Sequence, residues 1–246
     1  MTALDGSTIH IDPSVLLNLQ GKILFYPAAG SDWDEFLSCF CDHVGEFHFC
    51  DITYNFERLA PLLGQPVWQC IACKQQGESF AQVEPPNERR PYRYVKPAHL
   101  RQVYQRNCDE RRLEVIRRRG FGQYALAEFP DRSIKVFVHR GDSPGESGSN
   151  MYFLANKRRD HEPLSNLFSK LSAKLADRAL VISDGSNVGQ RFLKRFHNKD
   201  ISGSAAFDEF QRQHCQHFSF GPFVWKCVGF MNRRYGPTLV WGVERQ

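Results

Sequence analysis

The chain has 246 residues, 41% hydrophobic, 24% charged and 13% aromatic. That is enough apolar material for one sizeable core and far from the composition of disordered chains. A mean hydropathy of -0.47, with apolar runs no longer than a strand, leaves nothing to span a hydrocarbon layer of about 30 Å and excludes a helical membrane protein. The formal net charge is +5, but eleven Lys/Arg against four acids between Pro86 and Gly120 put +7 in that stretch and leave -2 elsewhere.

The start, Met1 to Asp5, lacks the basic and apolar regions of a secretory signal, so a cytoplasmic protein is expected. Lys22 to Tyr26 is a short apolar run that stops at Pro27-Ala28-Ala29-Gly30, which reads as a strand and a tight loop. Trp33, Phe36, Leu37 and Phe40 then recur at helical spacing, with Ser31 to cap and Asp32, Asp34 and Glu35 in the first turn. Glu46 to Ile52 reads as a second strand that ends at an acid, Asp51.

From Asn55 to about Cys108 the periodicity dissolves around Pro61, Pro66, Pro85, Pro86, Pro91 and Pro97. This predicts a basic, loop-like insertion at about 55–110 within a single domain, with a short helix over Ala98 to Asp109. Leu113 to Arg118, Tyr124 to Phe129 and Ile134 to His139 are expected as strands of a β-meander, turning at Gly120-Phe121-Gly122 and at Pro130 to Ser133. A glycine-rich loop, Arg140 to Ser149, follows.

Leu164, Leu167, Phe168, Leu171 and Leu175 share one stripe, so Glu162 to Asp177 is expected as a helix with Pro163 in its first turn. Ala179 to Ser183 reads as a buried strand ending at the loop Asp184 to Asn187. Val188, Phe192 and Phe196 suggest a short helix, and Phe207, Phe210, His214 and His217 another helical face. Phe223 to Met231 and Thr238 to Val243 form a C-terminal β-hairpin. Strands alternating with helices predict an α/β, Rossmann-like domain, a mostly parallel central sheet with helices on both faces.

Eight cysteines are too sparse for a disulfide scaffold and are expected as thiols. Cys39, Cys41, His43, His48 and Cys50 form one candidate metal cluster, and His214, Cys215 and His217 another. Only Cys70-x-x-Cys73 has knuckle spacing, and no second Cys-x-x-Cys completes four ligands. No metal site is therefore expected.

In the basic stretch, Tyr92, Tyr94 and Tyr104 interleave with arginines. Arg89, Arg90, Arg93, Arg117, Arg118 and Arg119 are the candidate contacts to nucleic acid or an acidic partner.

Parallel sheets bind ligands beyond the carboxyl ends of their strands. The loops at Pro27 to Asp32, Asp51 to Tyr54, Arg140 to Ser149 and Asp184 to Asn187 should meet there. Asp51 lies about twenty residues beyond Gly30, the distance at which an acid on the second strand receives ribose hydroxyls. Asp32, Asp34 and Glu35 would repel a pyrophosphate at the helix start but suit a ligand bearing an ammonium and a sulfonium. The chain has no P-loop, and no Gly-x-Ser-x-Gly elbow is read between a strand and a helix.

The loop Tyr26 to Asp32, Asp51 closing the second strand, Asp142-Ser143-Pro144 after a later strand and the C-terminal hairpin together resemble a class I S-adenosylmethionine-dependent methyltransferase. The resemblance covers most of the chain outside about 55–110. It implies S-adenosylmethionine as cofactor, lined by Tyr26, Pro27, Ala28, Gly30, Asp32, Asp51 and Ile52. Asp142 and Ser143 would approach the methyl acceptor, and His139, at its strand's end, is the histidine best placed to move a proton. Two other functions are weighed: a non-catalytic protein that holds nucleic acid or an acidic partner through the arginines, and a Mg-dependent nucleotide hydrolase using Asp142, Glu146 and Asp184.

Overall fold

The computed structural model describes residues 8–27, 29–30, 33–51, 56, 60–77, 98–120, 122–139, 165–183, 218–232 and 238–246. Apolar strands come first in the central part of the sheet. β2 (Ile23–Tyr26) and β3 (Glu46–Asp51) are joined through α2 (Trp33–Phe40) and pair in parallel. Every residue of β2 is buried, because alternate side chains feed two separate apolar layers. Leu24 and Tyr26 pack with α2, and Ile23 and Phe25 with the opposite face. A strand covered on both sides reads as a continuous apolar run, as Lys22 to Tyr26 does.

Parallel pairing continues from β3 to β6 (Arg112–Arg119), and on the other side from β2 to β7 (Ile134–His139) and on to β8 (Leu175–Ser183). The parallel block therefore runs β6-β3-β2-β7-β8. The chain steps outward from β2 in one direction, then returns to build on β2's other side. In open sheets of parallel strands such a reversal is where ligands bind, here at the carboxyl ends of β2 and β7.

Antiparallel strands extend the block at both edges. β11 (Thr238–Arg245) pairs with β8, and β10 (Phe223–Asn232) with β11. β1 (Thr8–Ile11) and β9 (Phe218–Phe220) both pair with β10. At the far edge β5 (Ala98–Arg106) pairs with β6, and β4 (Trp68–Gln76) with β5. α1 (Pro13–Leu17) is capped by Asp12, whose side chain accepts the Ser14 N–H. A short 3₁₀ helix covers Pro61–Gly64. α3 (Gly122–Glu128) and α4 (Ser165–Lys174) supply Ala125, Leu126 and Leu171 to the layer that holds Phe25 and Phe137.

The expectation of a Rossmann-like, mostly parallel sheet flanked by helices is overturned. The sheet has eleven strands, and six of the ten pairings are antiparallel. Of the described residues, 53% are strand and 21% helix. Apolar periodicity finds strands buried on both faces, whereas β4 is exposed along almost its whole length and β5 is half polar. Antiparallel edge strands tolerate one wet face, so their sequences carry little apolar signal.

Two local expectations fail for related reasons. Ala98 to Asp109 is the strand β5 and a turn, not a helix, and the stretch at about 55–110 contributes two strands to the same sheet. Tyr124 to Phe129 is not a meander strand but lies on α3, because β7 pairs in parallel with β2 and that connection needs a crossover. The terminal hairpin is present, as are the expected strands around 22–26, 113–118, 134–139 and 179–183 and the described part, 46–51, of that at 46–52; the helix expected over 162–177 is found at 165–174, but Leu175 to Asp177 already belong to β8. The loops 140–149 and 184–187, the short helix at 188–196 and the face at 207–217 lie outside the described residues. No helix among the described residues is long and apolar enough to cross a membrane.

Gly229 tests the outer edge. A Cβ built there would run into the carbonyl of His10 on β1. Gly229→Ala should therefore push β1 off β10 at a cost of about 1–3 kcal/mol. The checks are a lowered urea midpoint and lost amide protection at Ile9 and Ile11.

Candidate functional site

The turn after β2 and the end of β3 lie side by side at the carboxyl rim of the parallel strands. The Gly30 N–H donates to Asp51 Oδ2 at 2.9 Å, and the Ala29 N–H to the Cys50 carbonyl at 2.8 Å. Gly30 has φ 50°, a left-handed conformation that glycine adopts without strain. The Asp51 carbonyl in turn accepts the Gly120 N–H at 3.0 Å. One residue, 8% exposed, thus joins the loop after β2 to the loop after β6.

Tyr26 ends β2 with its ring edge-on to Phe36 at 5.0 Å, and Pro27 is buried beside it. In α2, Asp34 Oδ1 accepts the Glu35 N–H at 3.1 Å, and Glu35 is buried. His139 ends β7 opposite Ser183, at the same rim. Ala28, Asp32, Ile52, Asp142, Ser143, Arg89, Arg90 and Arg93 lie outside the described residues.

Two of the candidate anion contacts, Arg117 and Arg119, lie inside the fold. They are 2% and 3% exposed. The Arg117 guanidinium lies 5.0 Å from the Trp33 ring centre and 6.0 Å from that of Phe56. It donates to the Phe56 carbonyl at 2.8 Å and to Gln102 Oε1 at 3.1 Å. Arg119 sits opposite Asp51 across the β3–β6 pairing and over Phe56 at 5.7 Å. The planar, weakly hydrated guanidinium is the cation suited to such stacking and burial.

Other members of the stretch are engaged at the surface of the fold. Arg118 pairs with Glu128 at 2.5 Å and Arg101 with Glu114 at 2.6 Å. Arg106 pairs with both Asp42 and Asp109, and Arg111 donates to the Cys41 carbonyl at 2.7 Å. Their charge is spent largely within the protein.

The first cysteine cluster is split by the sheet. Cys39 and Cys41 pack in the α2 layer, Cys50 in the other. Burial pushes the Cys50 thiol up to about 12, which keeps it protonated and unsuited to a metal. Among the described residues no three His, Cys, Asp or Glu side chains gather as a metal site. The second cluster, at 214–217, lies outside them.

A cavity of about 340 Å³ opens elsewhere, between α1 and the strands β8, β11 and β10, against Val15, Leu19, Val228 and Lys226. The Arg178–Glu244 pair, 3.1 Å apart, lies along it. It adjoins the amino-terminal half of β8, away from the rim at Ser183, and no periodicity in the sequence marked it.

Behind the rim, His48 is buried on β3, with its ring edge-on to Phe129 at 4.6 Å. Its Nε2 lies 2.7 Å from Glu46 Oε1. Because a carboxylate only accepts, Nε2 carries the proton. The Lys22 ammonium holds the other Glu46 oxygen at 2.9 Å. The hydrogen bond from His48, and after it that from Lys22, holds the Glu46 carboxyl down at about 2 against the cost of its burial. Burial holds the His48 pKa below 6.5, although Glu46 opposes the shift.

Both depressed values act in the same direction. The native state resists the proton that the unfolded chain takes up at His48 below pH 6.5 and at Glu46 below about 4.5. Stability should be level above pH 7, fall as pH drops through 6.5, and fall further between 4.5 and 2. Thermal melts across that range check this, and His48→Gln should flatten the upper segment in part, because burial also lowers His43 and His99. Arg117→Ala should cost about 3 kcal/mol in denaturant unfolding, through the lost volume and a stranded Phe56 carbonyl. Arg117→Lys should recover only part of that.

Compared with protein-family models, curated proteins and solved structures, the chain matches none.

Proposed function

We propose that the protein binds S-adenosylmethionine at the carboxyl rim of β2 and β3 and transfers its methyl group to an acceptor. The observation that carries this reading is the hydrogen bond from the Gly30 N–H to Asp51, made at the point where the strand order reverses. It presents an oriented acid beside a glycine turn, the pairing that receives the ribose of an adenosine ligand in parallel sheets. A carboxylate offers about four acceptor positions, so holding Gly30 does not exhaust Asp51.

The residues present suit a cationic ligand. Asp34, Glu35 and Asp51 stand at or near the rim against two guanidiniums, those of Arg117 and Arg119, which are committed to aromatic rings. When bound, the cofactor supplies an electrophilic methyl on a sulfonium. Asp51 orients the ribose, the Gly30 backbone fixes the loop against it, and the acids of the α2 start offset the ligand's positive charge. Methyl transfer asks for alignment more than for acid–base power. Asp142, Ser143 and His139 are the groups we assign to the acceptor side. Seven described cysteines are free, which accords with the reducing cytoplasm in which we place the protein.

Calorimetry with S-adenosylmethionine and with S-adenosylhomocysteine tests the reading. Wild type should bind with micromolar affinity. Asp51→Asn, which keeps an oxygen for the Gly30 N–H, should weaken binding at least about tenfold, or about 1.4 kcal/mol, with its melting temperature little changed. Absence of heat from the folded wild type overturns the proposal.

A further inference from the structure

Two cysteines three residues apart on a regular strand project to opposite faces, because side chains alternate. In β4 they do not. Cys70 lies opposite Tyr104, Ala72 opposite Val103 and Cys73 opposite Gln102, so Ile71 is an extra residue in the ladder. This is a β-bulge, which re-aims the side chains that follow it. Tyr104 and Gln102 are two apart on β5 and share a face, so Cys70 and Cys73 share that face too, one strand repeat apart.

Both thiols are free and exposed, and the Cys70 thiol donates to the Ala72 carbonyl at 3.4 Å.

The spacing decides what the pair can do. Side chains one repeat apart stand about 6.6 Å from each other, twice the strand rise of about 3.3 Å. A disulfide needs Cβ atoms roughly 3.5–4.5 Å apart, so direct coupling would require the backbone to move. A metal ion interposes two bonds of about 2.3 Å and lets the sulfurs stand up to about 4.6 Å apart, which closes the gap. Zinc asks for four ligands in a closed site, and no third His, Cys, Asp or Glu joins the pair among the described residues. Soft thiolates with so few partners favour Cu(I).

We propose that Cys70 and Cys73, brought to one face by the Ile71 bulge, form an exposed bis-thiolate site for Cu(I). Each thiol gives its proton to solvent and forms one sulfur–metal bond. The metal keeps its oxidation state, so no electron acceptor is needed.

The full chain should withdraw one equivalent of Cu(I) from a chromophoric chelator under anaerobic conditions. Cys70→Ser and Cys73→Ser should each lower the affinity at least 100-fold, while Cys108→Ser leaves it unchanged. Deleting Ile71 restores strict alternation with both thiols retained, and should lower the affinity as much as either serine substitution. The serine substitutions sit at exposed positions and decide the question alone if the deletion does not fold. The proposal is overturned if wild type takes no Cu(I), if the double serine variant binds like wild type, or if a folded Ile71 deletion keeps the affinity. Rapid coupling of Cys70 to Cys73 by oxidised glutathione would overturn it as well, because the spacing would then permit a disulfide.

Discussion

Asp51, at the end of β3, does two jobs at once. Its Oδ2 takes the Gly30 N–H and its own carbonyl takes the Gly120 N–H, so the loops that leave β2 and β6 are both fixed to one residue. Backbone groups in loops beyond a sheet have no ladder partner and must find one elsewhere when they are buried. Asp51 and the Cys50 carbonyl supply those partners. The rim at the reversal of strand order depends on this arrangement, because these bonds hold the turn at Gly30 against the second strand.

The strand beside this buried acid carries arginines in register with it. Arg119 stands opposite Asp51, and Arg117 lies two residues back against Trp33 and Phe56. The arginines of β6 thus belong to the core beneath the candidate site. Those further along the basic stretch fasten β5 and β6 to each other and to the turn after α2. Much of the positive charge in this part of the chain is architectural. That removes Arg117 and Arg119 from any polyanion-binding surface.

The edges follow different physics from the middle. The central strands are covered on two faces and assemble in parallel through crossovers, whereas β10 and β11 at one side, and β4 and β5 at the other, are antiparallel neighbours that tolerate exposure. β4 is the extreme case, with only Trp68 buried. An unprotected edge strand invites pairing with other chains, and bulges are one of the devices that blunt it. The bulge at Ile71 therefore shapes the edge as well as the positions of two thiols.

The spacing of Gly30 and Asp51, the amphipathic stripe of α2 and the apolar run of β2 were legible in the chain itself, because each is a local pattern fixed by strand and helix period and by the conformational freedom of glycine. α1 carries a local signal too, an Asp12-Pro13 cap. What the tertiary structure alone decided is which strands pair and in which direction. β4, β5 and β1 carry weak periodicity, and the segment at α3 looked like a strand because Tyr124, Leu126 and Phe129 are apolar; only the parallel pairing of β7 with β2 requires a helix there. The burial of Arg117 and Arg119 was equally out of reach. A charged run looks solvated until the fold supplies the aromatic faces and carbonyl oxygens that make its interior placement favourable.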